Sequence, residues 1–223
     1  FITAMRTGAV SGIATKYMAN EDAKTASILG SGIQAKTQVW ATCEAHKFEK
    51  YYVFSIDPPE KIDAFCKEME EQHKIPFIRA NSAEEAVRAA DVLTLATSAK
   101  DPIIQYEWLK PGCHINGVGA HAPAMREIDE KTVLNSRIVA DLTDACMAEA
   151  GEFIIPMKEG KFSKDIIACD LGAVITGKAK GRTSHDEITI FKSVGLAIQD
   201  ISTAFAVYKL AKEKGTGSIF NFI

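Results

Sequence analysis

No stretch of this sequence approaches the roughly 18 consecutive apolar residues of a membrane-spanning helix. That absence argues against a membrane protein. Positive charge is not in excess either: 26 lysines and arginines stand against 29 acidic residues, a net charge of -3. A nucleic-acid binder would carry a basic footprint instead. The five cysteines (Cys43, Cys66, Cys113, Cys146 and Cys169) are odd in number and show no CxxC spacing. They read as reduced thiols of a cytoplasmic protein rather than as a disulfide framework or a zinc site. His46, His73, His114 and His185 form no ligand-spaced cluster, so no metal is expected. Low-complexity runs, internal repeats and a signal peptide are also missing. What remains is a chain of 223 residues, 47% of them hydrophobic. That is enough for one large domain or one and a half, burying roughly 70–75% of the unfolded surface. The sequence opens on Phe1 and reads at once like the middle of a protein. A fragment lacking an N-terminal part is the expectation.

Small and apolar residues recur at helical spacing from Thr7 to Ala19, with Ala9, Ile13 and Tyr17 in line and Val10 and Ala14 beside them. A strand follows at Thr25–Leu29. A helix is expected from Ile33 to Ala45, with Ala35, Val39, Trp40 and Cys43 on one face. Tyr51–Ile56 reads as a second strand, stopped by Asp57-Pro58-Pro59, whose prolines suit a helix start. That helix runs to about Lys74. Phe77-Ile78 is a third strand, Ser82-Ala83-Glu84-Glu85 a capping box opening a helix, and Val92–Thr97 a fourth strand. Further strands are expected near 114–118, 137–140 and 188–191. The alternation predicts right-handed βαβ units and a doubly wound, Rossmann-type parallel sheet, with its ligand crevice at the carboxyl ends of the strands. Gly195 to Lys214 reads as a long amphipathic helix with an apolar stripe of Ile198, Ile201, Phe205 and Tyr208.

Gly30-x-Gly32-x-x-Ala35 follows a strand and opens a helix, the context that makes it a dinucleotide-binding loop. Gly30 permits the tight turn. Gly32 lets the backbone approach a pyrophosphate. Ala35 is small enough for close packing of helix on strand, and the helix start offers unpaired N–H groups to the phosphates. Asp57, ending the second strand, has the place and charge to bind the adenosine ribose hydroxyls and to repel a 2′-phosphate. NAD is favoured, with NADP possible. As a plain turn, the same segment would need only the glycines, and Asp57 would cap the helix after Pro-Pro.

These residues resemble the ornithine cyclodeaminase/mu-crystallin family. The matching segments are Arg6–Ser11, Gly30–Ala35, Asp91–Thr97, Trp108–Gly112, Asn116–His121, Met125–Ile128 and Asp186–Gly195. They run in order along nearly the whole chain. The resemblance implies an NAD(P)-dependent oxidoreductase moving hydride between nicotinamide and the Cα of a small amino acid or cyclic imino acid through an imine. Two other activities stay open: an ornithine cyclodeaminase, a lyase using NAD catalytically, and a non-catalytic nucleotide-binding protein. The resemblance further implies a homodimer and two domains. Residues 1–19 and 191–223 would be remnants of a substrate and dimerisation domain, and 20–190 the nucleotide-binding domain. Family members extend further at the N-terminus, where the second carboxylate-binding arginine and an active-site lysine lie.

By the same resemblance Arg6 grips the substrate carboxylate, a task suited to the two parallel hydrogen bonds of a guanidinium. Thr7, Gln34, Thr97, Val118, Gly119 and Ser193 contact the cofactor with the glycine loop, and Val194 lines the substrate pocket. Ser193 reads equally as a cap of the last helix, and Thr97 as an ordinary strand end. His121 stands where cyclodeaminases and the related alanine dehydrogenase carry an aspartate. It can shuttle a proton near neutral pH or serve as a structural or gating residue, but it supplies no permanent negative charge to an ammonium group. Arg126 and Glu127 read as a local ion pair supporting the loop, Asp141 and Asp144 as turn or capping residues.

Overall fold

The computed structural model describes residues 1–218 and residue 220. In chain order the elements are α1 (Ile2–Met18), β1 (Thr25–Leu29), α2 (Ile33–Ala45), β2 (Lys50–Phe54), α3 (Pro59–His73), β3 (Phe77–Arg79), α4 (Ala83–Ala89) and β4 (Val92–Leu95). Then come β5 (His114–Gly117), α5 (Glu130–Leu134), β6 (Arg137–Ala140), α6 (Thr143–Glu149), α7 (Gly151–Lys158), β7 (Ile167–Asp170), α8 (Leu171–Ile175), β8 (Thr189–Lys192) and α9 (Ala197–Glu213). The eight strands form one sheet in the order β3-β2-β1-β4-β5-β8-β6-β7, and every pairing is parallel.

A parallel sheet covered by helices on both faces needs strands without a polar side. β1 meets this with five buried residues in a row, Thr25 to Leu29. The chain leaves β1 in one direction to build β2 and β3, then returns to lay β4 on the other side of β1. The loops after β1 and β4 therefore diverge and open a crevice at the carboxyl edge. The expected βαβ rhythm is present, with one rearrangement. β6 does not pair with β5; the last strand, β8, enters between them. This sets the end of β8, Lys192-Ser193, beside the end of β5, Gly117-Val118.

Local signals explain the helix boundaries. Pro59 occupies the first turn of α3, which ends where Lys74 adopts a left-handed φ of 61° and its N–H returns to Glu70 O. Ser82 Oγ accepts from Glu85 N at 3.0 Å. Glu85 closes the capping box one residue early, accepting from Asn81 N at 2.7 Å.

Two expectations are corrected, and one strand is added. On α1 the aligned Ala9, Ile13 and Tyr17 face outward. The buried face is Ala4, Thr7, Gly8, Ser11, Gly12, Ala14, Thr15 and Met18, because α1 crosses α2 closely. A β-carbon on Gly8 would stand 2.4 Å from Thr37 O, and one on Gly12 2.7 Å from Ala41 O. On α2 the buried set is Ala35, Gln38, Val39 and Thr42, while Trp40 is 40% exposed and Cys43 half-buried. Finally, β7 forms an edge strand at 167–170 where the sequence pattern is weak. No residue of α9 is buried, and Ile198, Ile201, Phe205 and Tyr208 are all exposed.

Candidate active site

The crevice holds two cavities that share Gln34, Ala96 and Thr97. The larger, about 650 Å³, runs from the glycine loop to Asp57. Gly30 turns the chain with φ +117°, and a β-carbon there would lie 2.5 Å from Ala96 O. Gly32 faces open space: beyond its own chain neighbours, nothing stands within 4 Å of where its β-carbon would be. No side chain caps the N-terminus of α2, and no acidic residue sits in its first turn. Those N–H groups and the positive end of the helix dipole are therefore available to an anion. The loop thus has the shape and donors a dinucleotide pyrophosphate requires.

Asp57 lies in this cavity with Ser31, Ser55 and Ile56. Its carboxylate accepts from Lys61 Nζ at 2.8 Å, from Ser31 Oγ, and from Ser55 Oγ at 3.0 Å. The bond from Lys61, then that from Ser31, lowers its pKa from the usual carboxylate range to about 2. Lys61 arrives from one turn later on α3, so a cation does stand at the ribose end. Ile56 and Ile33 are 98% and 78% exposed. Such bare aliphatic groups at a cleft mouth suit a flat aromatic base. Sequence reasoning missed both; the only signal was their place, Ile33 directly after Gly32 and Ile56 directly before Asp57.

The smaller cavity, about 230 Å³, is lined by Arg6, Thr7, Gln34, Thr97, Val118, Gly119, His121, Ser193 and Val194, with Thr3, Ala96 and Gly195. The Arg6 side chain is only 12% exposed. Its Nη1 donates to Gln199 Oε1 at 3.1 Å, and its Nε lies 3.3 Å from the Asp200 carboxylate. Thr7 Oγ1 donates to Thr3 O at 2.7 Å. His121 is exposed, with Nδ1 2.7 Å from Gly119 O. A carbonyl partner requires the proton on Nδ1, which leaves Nε2 as the free nitrogen.

Two buried acids that sequence reasoning underrated hold the loops. Glu127 makes no ion pair with Arg126; it turns inward and is fully buried. It accepts from Thr97 N and Thr97 Oγ1, both at 2.8 Å, from Gly119 N at 2.8 Å and from Ala120 N at 3.0 Å. Burial pushes its pKa up, opposed by the Lys192 ammonium. Asp141 gathers the loop after β8, accepting from Ser193 Oγ at 2.7 Å, Val194 N at 3.1 Å and Gly195 N at 2.9 Å. Ser193 therefore binds Asp141 and does not cap α9.

Every site residue expected from the sequence lines one of the two cavities except Ala35, which is fully buried in the core with Ile28, Val39 and Val53. Ala35 is a packing residue and not a cofactor contact. Among the described residues there is no metal-ligating cluster and no helix long and apolar enough to cross a membrane.

The Δ1-pyrroline-2-carboxylate reductase of Bacillus cereus is 38% identical over 223 residues, spanning the whole of this chain and 68% of that protein. The solved Δ1-pyrroline-2-carboxylate reductase of Thermococcus litoralis, in complex with NADH and L-proline, superposes with a TM-score of 0.95 at 44% identity, over 99% of this chain and 68% of that one. An archaeal alanine dehydrogenase dimer with bound NAD gives 0.92 at 33% identity, over 99% and 68%. Residues 1–215 match the description "Ornithine cyclodeaminase/mu-crystallin family", and the chain belongs to that family.

Proposed function

We propose that the chain is an NAD-dependent oxidoreductase that reduces a cyclic imino acid at its Cα, with Δ1-pyrroline-2-carboxylate yielding L-proline as the substrate pair. The observation that carries this reading is Arg6. A largely buried guanidinium lies in a small cavity continuous, through Gln34, Ala96 and Thr97, with a groove shaped for a dinucleotide. The 38–44% identity to two reductases of that substrate supports it.

When bound, the dinucleotide supplies the hydride. The amides opening α2 hold its pyrophosphate, and Asp57 takes the ribose hydroxyls. Thr97, Val118, Gly119 and Ser193 surround the nicotinamide end. Arg6 exchanges Gln199 and Asp200 for the substrate carboxylate and so fixes the imine carbon. With Nδ1–H committed to Gly119 O, His121 Nε2 can take up a proton from solvent and, as the imidazolium, pass it to the imine nitrogen. A histidine there, in place of the aspartate of cyclodeaminases, favours imine reduction over ammonia loss, because it offers no fixed anion to an ammonium group.

The same reading assigns residues 20–190 to nucleotide binding, and 1–19 with 191–223 to a substrate and dimerisation unit. The exposed apolar face of α9 is then the surface for a second copy. A cytoplasmic location fits the five free thiols.

The test is to mix the full-length protein with Δ1-pyrroline-2-carboxylate and NADH and follow NADH loss. Arg6→Ala should raise the imino acid KM by about 100-fold, the loss of a bidentate charge-assisted pair, with NADH affinity nearly unchanged. Absence of turnover with any cyclic imino acid, or equal loss of both affinities, would overturn the reading.

A further inference from the structure

Glu127 lies outside the set of residues that line either cavity, yet its carboxylate is fully hydrogen-bonded beside them. Four donors converge on its two oxygens: the N–H and hydroxyl of Thr97 from the end of β4, and the N–H groups of Gly119 and Ala120 from the end of β5. All its acceptor positions are thereby taken, the pattern of a carboxylate and not of an acid. The buried Lys192 supplies countercharge from the end of β8, donating to Ala120 O at 2.6 Å and to Glu152 Oε1 at 3.2 Å. Glu152 Oε1 in turn accepts from Glu127 N at 3.2 Å. The three charged side chains are fully or almost fully buried and join the carboxyl ends of three adjacent strands.

We propose that Glu127 is the positioning residue of the nicotinamide-side cavity: its carboxylate ties the chain after β4 to the chain after β5 and so fixes Thr97, Val118 and Gly119 against the ring and the imine. This deepens the dinucleotide reading and rests on it. The physical reason for a carboxylate is its donor-free surface. Strand ends in a parallel sheet leave N–H groups short of ladder partners; Glu127 takes those of Thr97 and Ala120 with the Thr97 hydroxyl, and shares that of Gly119 with Leu95 O. The fit is close. A β-carbon on Gly119 would stand 2.3 Å from Glu127 Oε1 and 2.3 Å from Thr97 O, so only glycine allows the clamp to close. The Glu127 carboxylate makes no hydrogen bond to the glycine loop or to Asp57, so its direct hold is confined to the chains after β4 and β5.

That confinement gives the test. ADP-ribose carries the pyrophosphate and both riboses but no nicotinamide, whereas NADH has the ring. Affinities for both are measured by calorimetry on the wild-type chain and on Glu127→Gln, which keeps the shape but turns an acceptor into a donor facing N–H groups. NADH affinity should fall about tenfold, near 1.4 kcal/mol, while ADP-ribose affinity stays within about twofold. kcat for imine reduction should fall more than KM changes. Gly119→Ala pushes into the clamp from the other side and should give the same signature if Glu127→Gln fails to fold. Equal weakening of both ligands, or no change in either, would overturn the assignment to Glu127 and leave the dinucleotide reading standing. A wild-type chain that binds neither ligand would overturn both.

Discussion

The Arg6 guanidinium rests on the backbone of Gly195: a β-carbon at Gly195 would lie 2.6 Å from Nη1 and 2.7 Å from Nη2. Gly195 also adopts φ +92°, so glycine is required twice, for backbone conformation and for space. Gly195→Ala should therefore displace Arg6 and raise the imino acid KM at least about tenfold. It should also cost about 1–3 kcal/mol of stability, with NADH affinity held. Kinetics and denaturant melts on the same preparation check this; an unchanged KM would mean that Arg6 does not bind substrate from this position.

Asp57 should set the choice of coenzyme. Its carboxylate, held ionised by Lys61 and Ser31, repels a 2′-phosphate. Asp57→Ala should weaken NADH about tenfold or more and improve NADPH, because Lys61, Ser31 and Ser55 are left as a cation and two hydroxyls facing the phosphate. Adding Lys61→Ala should remove the gain for NADPH. An unaltered NADH to NADPH preference in the single variant would refute the role.

Asp141 should act through the loop it holds. Asp141→Asn removes charge from an oxygen accepting three donors from Ser193, Val194 and Gly195. The loop floors Arg6 and lines the ring side, so KM for the imino acid and NADH affinity should both worsen, by about tenfold each. ADP-ribose affinity, which tests the other half of the crevice, should not move. Titration of all three ligands decides it.

The path from β1 through the glycine loop into α2 was legible because its signals are local: a buried strand, two glycines and a helix start within eleven residues. Arg6, Asp57, Thr97 and His121 reached the crevice as expected for the same reason, each sitting at the end of an element or within a matched motif. The insertion of β8 between β5 and β6 was not legible. Its pairing partners are distant in sequence, and a short apolar run carries no address. Glu127 reads in the sequence as half of a local ion pair, Asp141 as a turn or capping residue, and Glu152 and Lys192 carry no signal, because charged residues are mostly exposed; the backbone N–H groups that meet the acids, and the Ala120 carbonyl and Glu152 that meet Lys192, explain their burial. The face of α1 was inverted because apolar periodicity gives weight to Ile13 and Tyr17, while close helix crossing selects Gly8, Ser11 and Gly12.

The sheet interior beneath α1 predicts an acid sensitivity unrelated to catalysis. His114 is fully buried. Its Nδ1 lies 2.9 Å from Thr189 Oγ1 and its Nε2 3.2 Å from Asn116 Oδ1. Asn116 Nδ2 donates to Thr15 Oγ1 at 3.0 Å, and Arg182 Nη2 donates to Thr189 Oγ1 at 3.1 Å. Burial, reinforced by the Arg182 cation, lowers the His114 pKa from 6.5 to about 3. The folded chain therefore keeps this ring neutral while the unfolded chain protonates it near pH 6.5. Between those two values the unfolded state binds the extra proton, so stability from this group is complete above about pH 6.5. It falls as the pH drops, at up to about 1.4 kcal/mol per pH unit. His114→Gln keeps a donor towards Asn116 and cannot titrate. Denaturant melts from pH 7 down to about 4.5 should show the wild type losing stability more steeply than the variant. The difference in slope should approach one proton whatever the variant's starting stability. Parallel slopes would mean that His114 is not held neutral in the fold.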